Sequence, residues 1–436
     1  MNTTMNDRII RNDRINEYFI LLLFTFCSFR FYSYIGFSTR MMSAIFYVAQ
    51  VLMLGYCAST VFQGRGNTLF SVMRYILIVS WFSLIPAWAF WEQSLVLGVV
   101  ATTFLSVIIV YFFMWKHDFT DKEMNAFVLM LGLIYVVLWF YSLTNLPMMT
   151  FGVRNADDTM LWNEERGMLR INFVGCTSLV LTYFLALNQT FNKKSLKWAF
   201  FAAFLFVMIV LQLTRQIIFC AGAVTLVYVF FKNKRLMAIL AGGFLALYLF
   251  SVSVSFDKNG VVGSMVELTM SQTKYREHKG DARIDEYPFF FSEASKNFIT
   301  DVIGNGVSYS TTPYGKAYAR MNNKGNHLSD VGYASMFFYT GWIGLALYIF
   351  LFVYCLSRKV PPHLEYTLLF IGYLIIADIA ADWYAKADGQ IALATCVYLI
   401  SKYGRSRNEM GEDESTESFL NLAESKHEVL DNHTSL

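Results

Sequence analysis

"NHLSDVGYASMFFYTGWIG", residues 326–344, sets polar and small residues directly against an apolar run that continues to Leu356. A helix needs roughly 20 mostly apolar residues to cross a bilayer, because nothing else satisfies the backbone inside hydrocarbon. The fold turns on how many such runs the chain carries. Twelve are legible, near 17–36, 42–62, 69–88, 94–115, 124–145, 172–190, 197–213, 217–231, 236–255, 331–356, 364–381 and 389–402. Composition agrees: the 436 residues are 56% hydrophobic and 17% aromatic, with 15% charged, against about 25% charged in a soluble domain. The expected fold is all-α, a polytopic membrane protein of about 12 transmembrane helices.

Basic residues set the orientation. With the amino terminus inside, the cytoplasmic connectors read "QGRGN", "KHDFTDKE", "NKKSLK", "KNKR", "SRK" and "SKYGRSR", each carrying Lys or Arg. The outer connectors "WAFWEQ" and "ADWYAKADG" hold one lysine between them. The expected layout is a cytoplasmic stretch 1–16, helices one to nine over 17–255, a large periplasmic loop 256–330, helices ten to twelve over 331–402, and a tail 403–436. The loop contains "YPFFFSEASKNFITDVIG", aromatic and helical in pattern, and reads as a cap of amphipathic helices. The acidic tail, poor in aromatics, has the composition of a disordered segment. Both termini fall in the cytoplasm.

Several classes are excluded. A net charge of +3 with scattered basic residues does not fit nucleic acid. The six cysteines lie in apolar runs without CxxC spacing, so neither zinc nor disulfides are expected. The cytoplasmic connectors hold no phosphate loop and no H-E-x-x-H, and are too short for a nucleotide site. No metal and no cofactor are expected.

Ionisable residues collect on the outer side instead. Arg215 sits in "LQLTRQIIF", a hairpin with almost no loop, which puts its guanidinium at the headgroup level. There it either snorkels to a lipid phosphate or pairs with an anionic substrate. Asp330, with Ser329, suits the N-cap of the tenth helix and its dipole. His327, three residues upstream of Asp330, is either a surface histidine or an imidazole placed to take a proton from a hydroxyl. Arg276 and Arg283 lie in "KYREHKGDARIDEYPFF", a solvated mixed-charge face or part of a site. "IGNGVS", residues 303–308, is a permissive turn that returns the loop toward the membrane. Together, arginines at and above the membrane boundary suit a pyrophosphate, which they bind bidentately. A histidine beside them suits activation of an acceptor hydroxyl. The combination implies glycosyl transfer from a polyprenyl-linked donor on the outer face.

The layout, "LTRQ" before the eighth helix, and the run "ARIDEYPFF…IGNGVS…NHLSDVGY…TGWIGLALYIF" resemble the O-antigen polymerase and O-antigen ligase superfamily of bacterial inner-membrane proteins. Motif content spans about residues 200 to 356; the amino-terminal half matches by hydropathy alone. The resemblance implies that Arg215 and Arg283 bind the pyrophosphate of an undecaprenyl carrier and that His327 assists the acceptor, making these three the catalytic set. Arg276, Asp330 and Arg170 are the accompanying substrate-binding candidates. Ligases of the group carry histidine followed by asparagine, whereas here Asn326 precedes His327, and "SDVGY" points to the polymerase branch. Implied partners are an undecaprenyl-pyrophosphate-linked oligosaccharide, the lipid bilayer, a chain-length regulator and a flippase. The competing functions are a ligase passing glycan to the lipid A core and a polysaccharide flippase or transporter. A transporter generally places paired charges and broken helices at mid-membrane in two related halves. No such repeat is visible here, and charges within spans, such as Arg30 and Asp378, are few.

Overall fold

The computed structural model describes residues 3–31, 39–63, 66–145, 162–163, 168–169, 171, 173–212, 214–234 and 282–403. These residues are helical and connecting segments, with one exception. A two-residue antiparallel ladder pairs Trp162 with Leu169 and Asn163 with Met168, inside the segment 146–171. Among the described residues six helices are long and apolar enough to cross a membrane: Ser43–Phe62, Thr68–Trp91, Leu95–His117, Asp121–Ser142, Arg215–Lys232 and Gly332–Leu356. Leu196–Leu211 and the run Pro362–Ala377 are apolar but shorter. The chain is a helical membrane protein, and Phe200, Phe219 and Phe231 on its periphery are largely exposed, as lipid-facing side chains are.

The bounds differ from the hydropathy reading where the backbone departs from a plain helix. The first helix runs Thr3–Ser28 and so includes most of 1–16, ending well before residue 36. The expected 69–88 span is two helices, Thr68–Phe82 and Leu84–Trp91, that meet at Ser83 ahead of Pro86. Pro86 lacks the N–H that would bond back to Phe82, which favours a break here. The helix expected over 364–381 ends at Ala377. The expected 236–255 span and the tail beyond residue 403 lie outside the described residues.

The centre of the bundle is built from Leu95–His117, Cys176–Lys193 and the last helix, 387–403. Val107 to Met114 are fully buried. Residues 103–109 form a 3-10 stretch, which leaves backbone groups without their usual helical partners. Gln390 from the last helix meets them: its Oε1 accepts the Ile108 N–H at 3.0 Å and its Nε2 donates to the Phe104 carbonyl at 2.8 Å. Nearby, Asp388 Oδ2 accepts the N–H groups of Gly175 and Thr177, each at 3.0 Å, and so caps the Cys176–Lys193 helix from a distant part of the chain.

The two ends of the bundle differ. At the end carrying the basic connectors, ion pairs tie helices together: Arg14–Glu123 at 3.0 Å, Lys232–Glu365 at 2.7 Å and Lys402–Asp118 at 3.2 Å. At the other end sits the cap, Ala282–Pro288, a π-helical turn Phe289–Glu293, and the helices Phe298–Ile303 and Pro313–Asn323. The cap is bonded into the bundle. The Gly332–Leu356 helix breaks at Gly341, whose φ is 68°. At the break the Phe338 carbonyl accepts the Asn305 N–H at 2.8 Å, and the Tyr339 carbonyl accepts the Gly306 N–H at 3.1 Å. Gly304 packs so closely there that a Cβ would lie 2.3 Å from the Tyr339 oxygen, and its φ of 98° also excludes most side chains. Trp91 Nε1 donates to Asn305 Oδ1 at 2.8 Å, and its ring stacks on Tyr314 at 4.5 Å. The turn "IGNGVS" is thus a plug set into a helix break.

Candidate functional site

Three of the candidate residues gather around one that the sequence reading passed over. Glu286, in the first cap helix, is buried, and its Oε1 accepts the backbone N–H of His327 at 3.2 Å. Its Oε2 is buried with no hydrogen-bond partner. Burial pushes the Glu286 carboxyl above the usual carboxylate range, the His327 N–H opposes that shift, and the charge of Asp330 adds to it; His327 and Arg283 pull it back down. Arg283, His327 and Asp330 therefore all lie within electrostatic reach of this one carboxyl. His327 is exposed, while Arg283 and Asp330 are half-buried.

Asp330 is not the N-cap of the long helix. It belongs to a 3-10 turn, Leu328–Asp330, and the helix begins at Gly332 after Val331 with no side-chain cap. The N–H of Tyr333 instead donates to the carbonyl of Asp378, just beyond the carboxyl end of the Glu365–Ala377 helix, at 3.2 Å. A donor left over at one helix start meets an acceptor left over at another helix end, and their dipoles are complementary. A side-chain cap is unnecessary where this backbone bond exists.

The same junction carries two buried acids. Asp378 Oδ1 accepts the Tyr384 N–H at 3.1 Å, and the Asp382 N–H donates to the Ser329 carbonyl at 3.3 Å. Lys386 Nζ lies 3.5 Å from Asp382 Oδ1 and sits 3.7 Å from the centre of the Trp383 ring. Tyr287 closes the cap side by donating to the Ile379 carbonyl at 2.6 Å, and burial pushes its hydroxyl up to about 12. The turn 327–330 is thus held by Glu286 on one flank and by the 378–386 connector on the other.

Arg215 opens the Arg215–Lys232 helix and is exposed. Its neighbour Gln216 donates through Nε2 to the carbonyl of Ala377, next to Asp378. Arg215 therefore belongs to the same end of the bundle as Arg283 and His327, joined to them through the 377–386 connector. Arg276 and Arg170 lie outside the described residues. Glu286, Asp378 and Asp382 are the additions. Glu286 stands in "ARIDEYPFF", where alternating acids and bases mask a buried member, and Asp382 stands in "ADWYAKADG", read only as an outer connector. The usable signal was the spacing of three acids, Asp378, Asp382 and Asp388, in a connector between two apolar runs.

Among the described residues no group of three or more His, Cys, Asp or Glu side chains is placed to hold a metal ion. What the arrangement offers is a cationic group at the apolar boundary, a second in the cap, an imidazole, and buried carboxyls. The sequence matches no family model, and no curated protein matches it.

Proposed function

We propose that the chain is a polysaccharide polymerase of a bacterial inner membrane. In this reading it has twelve spans, both termini lie in the cytoplasm, and the cap faces the periplasm. It transfers a glycan from undecaprenyl pyrophosphate to the next lipid-linked repeat unit without a metal. The observation that carries the reading is the gathering of Arg283, His327 and Asp330 around buried Glu286 at the end of the apolar bundle that also holds Arg215. A donor whose tail lies in lipid and whose pyrophosphate lies at the headgroups would present its reacting carbon there. Arg215 and Arg283 would neutralise the pyrophosphate as it leaves, a contribution worth about 10²–10³-fold in rate per preorganised donor. His327 would take the proton of the acceptor hydroxyl. A ligase would use the same groups with a lipid A core as acceptor.

Deleting the gene and running the cell's lipopolysaccharide on a gel separates these readings. Core bearing a single repeat unit is the outcome expected for a polymerase, and bare core would mean a ligase or flippase. Restoring the gene with Arg215→Ala should leave the protein in the membrane at its normal level and the ladder absent. A normal ladder from that variant would sink the role given to Arg215.

A further inference from the structure

Glu286 is bonded in a way that structure alone does not require. A glutamine at 286 would offer the same carbonyl oxygen to the His327 N–H without a buried charge, and burying a carboxylate is costly. The residue present keeps one oxygen pinned to the His327 main chain and the other uncommitted, in reach of the charges of His327 and Arg283. Building on the polymerase reading above, we propose that Glu286 is the acidic partner of His327. It is a positioning residue that holds the His327 main chain through Oε1 and, by its charge, supports the positive imidazole formed during transfer. In that step the acceptor O–H bond breaks and its proton goes to the imidazole. The freed oxygen bonds to the anomeric carbon of the donor. The bond from that carbon to the pyrophosphate breaks, and its electron pair leaves with the pyrophosphate. The carboxylate gains nothing and loses nothing. Its charge lowers the energy of the state in which the neighbouring ring has become cationic, as an acid beside a general-base histidine does.

The full-length protein in vesicles, supplied with lipid-linked repeat unit extracted from cells lacking the gene, provides the test. Glu286→Gln keeps the oxygen that holds His327 and removes the charge. Its kcat should fall at least about 100-fold, with KM for the lipid-linked unit within about two-fold, and Glu286→Asp should recover part of the loss. In a His327→Ala background, Glu286→Gln should cost little more, because the carboxylate acts through the ring. A merely structural Glu286 predicts the opposite pattern: Gln near wild type, Asp and Ala both poor, and losses that add to those of His327→Ala. That pattern would overturn the assignment. Wild-type protein that elongates nothing in the same vesicles would overturn the polymerase reading instead, so the two failures are told apart. Should Glu286→Gln be lost from the membrane, Asn326→Ala and Ser329→Ala serve as controls for damage to the turn. A fall in kcat from those variants equal to that of Glu286→Asp would also overturn the proposal.

Discussion

Two polar regions of the cap, one centred on Asn305 and one on Glu286, are bonded by different rules. Around Asn305 the polar groups are matched. Trp91 Nε1 reaches Asn305 Oδ1, Asn305 Nδ2 reaches the Phe338 carbonyl at 3.2 Å, and Gln93 Oε1 takes both the Tyr309 N–H at 2.8 Å and the Thr312 hydroxyl at 3.0 Å. Tyr314 finishes the set by donating to the Gly306 carbonyl at 3.0 Å. Around Glu286 they are not matched: a buried carboxyl keeps an oxygen without a partner, and the charges of Arg283, His327 and Asp330 act on it. Matched buried polar groups specify a fold, because each would be costly if orphaned. Surplus polar capacity in an otherwise apolar bundle lowers stability, and its retention points to work done on a ligand. The Asn305 region holds the cap; in the polymerase reading proposed above, the Glu286 region is what it holds in place.

Substitutions in the first region should therefore be the most damaging. Gly304→Ala must place a methyl group against the Tyr339 carbonyl at a φ of 98°, so it should cost roughly 3 kcal/mol or more. Its expected outcome is little monodisperse protein after detergent extraction; a normal yield with an unchanged melting temperature would refute the plug. Asn305→Ala comes next. It orphans the Trp91 N–H in a buried setting and removes a bond to the Phe338 carbonyl, which together should cost roughly 2–3 kcal/mol. Thermal unfolding monitored by tryptophan fluorescence measures it. A loss below that of an exposed control such as Asn323→Ala would erase the contrast between the two regions.

Much of the bundle was legible from hydropathy, and the reason is physical. A lipid-crossing helix is specified by a local run of side chains, so Asp121–Ser142, Arg215–Lys232 and Gly332–Leu356 fall within a few residues of their expected bounds. The breaks were harder to read. The bend at Gly341 depends on Asn305 and Gly306 arriving from another segment to bond the freed carbonyls, and no local pattern reports that. The same holds for the site. His327 and Arg283 could be named as residue types suited to pyrophosphate chemistry, but Glu286 acquires its meaning from a bond spanning 41 positions. Asp330 was misread as a cap because its position before a helix is the usual signal. The actual satisfaction of that helix start comes from the Asp378 carbonyl, which lies on a segment later in the chain.

The smallest effect expected is the one that sharpens the comparison most. If the Glu286 region is costly to fold, neutralising it should stabilise the protein even as it harms activity. Burial raises the folded-state pKa of Glu286 above its unfolded value. Stability linked to this group is then fullest in acid, where the carboxyl is protonated in both states, and is lost as pH rises through the folded pKa. Glu286→Gln removes that loss. Its melting temperature should exceed that of wild type by about 1–3 °C at neutral pH, and the difference should close as pH falls below the ordinary glutamate range. The charges that oppose this are those of Arg283 and His327, which favour the ionised form, while Asp330 reinforces it. Replacing Asp330 with Asn should therefore narrow the Glu286→Gln gain, because one repulsive neighbour is gone. A Gln variant less stable than wild type at neutral pH would mean that the pairing with Arg283 and His327 outweighs burial. Glu286 would then belong with Asn305 among the groups that hold the cap.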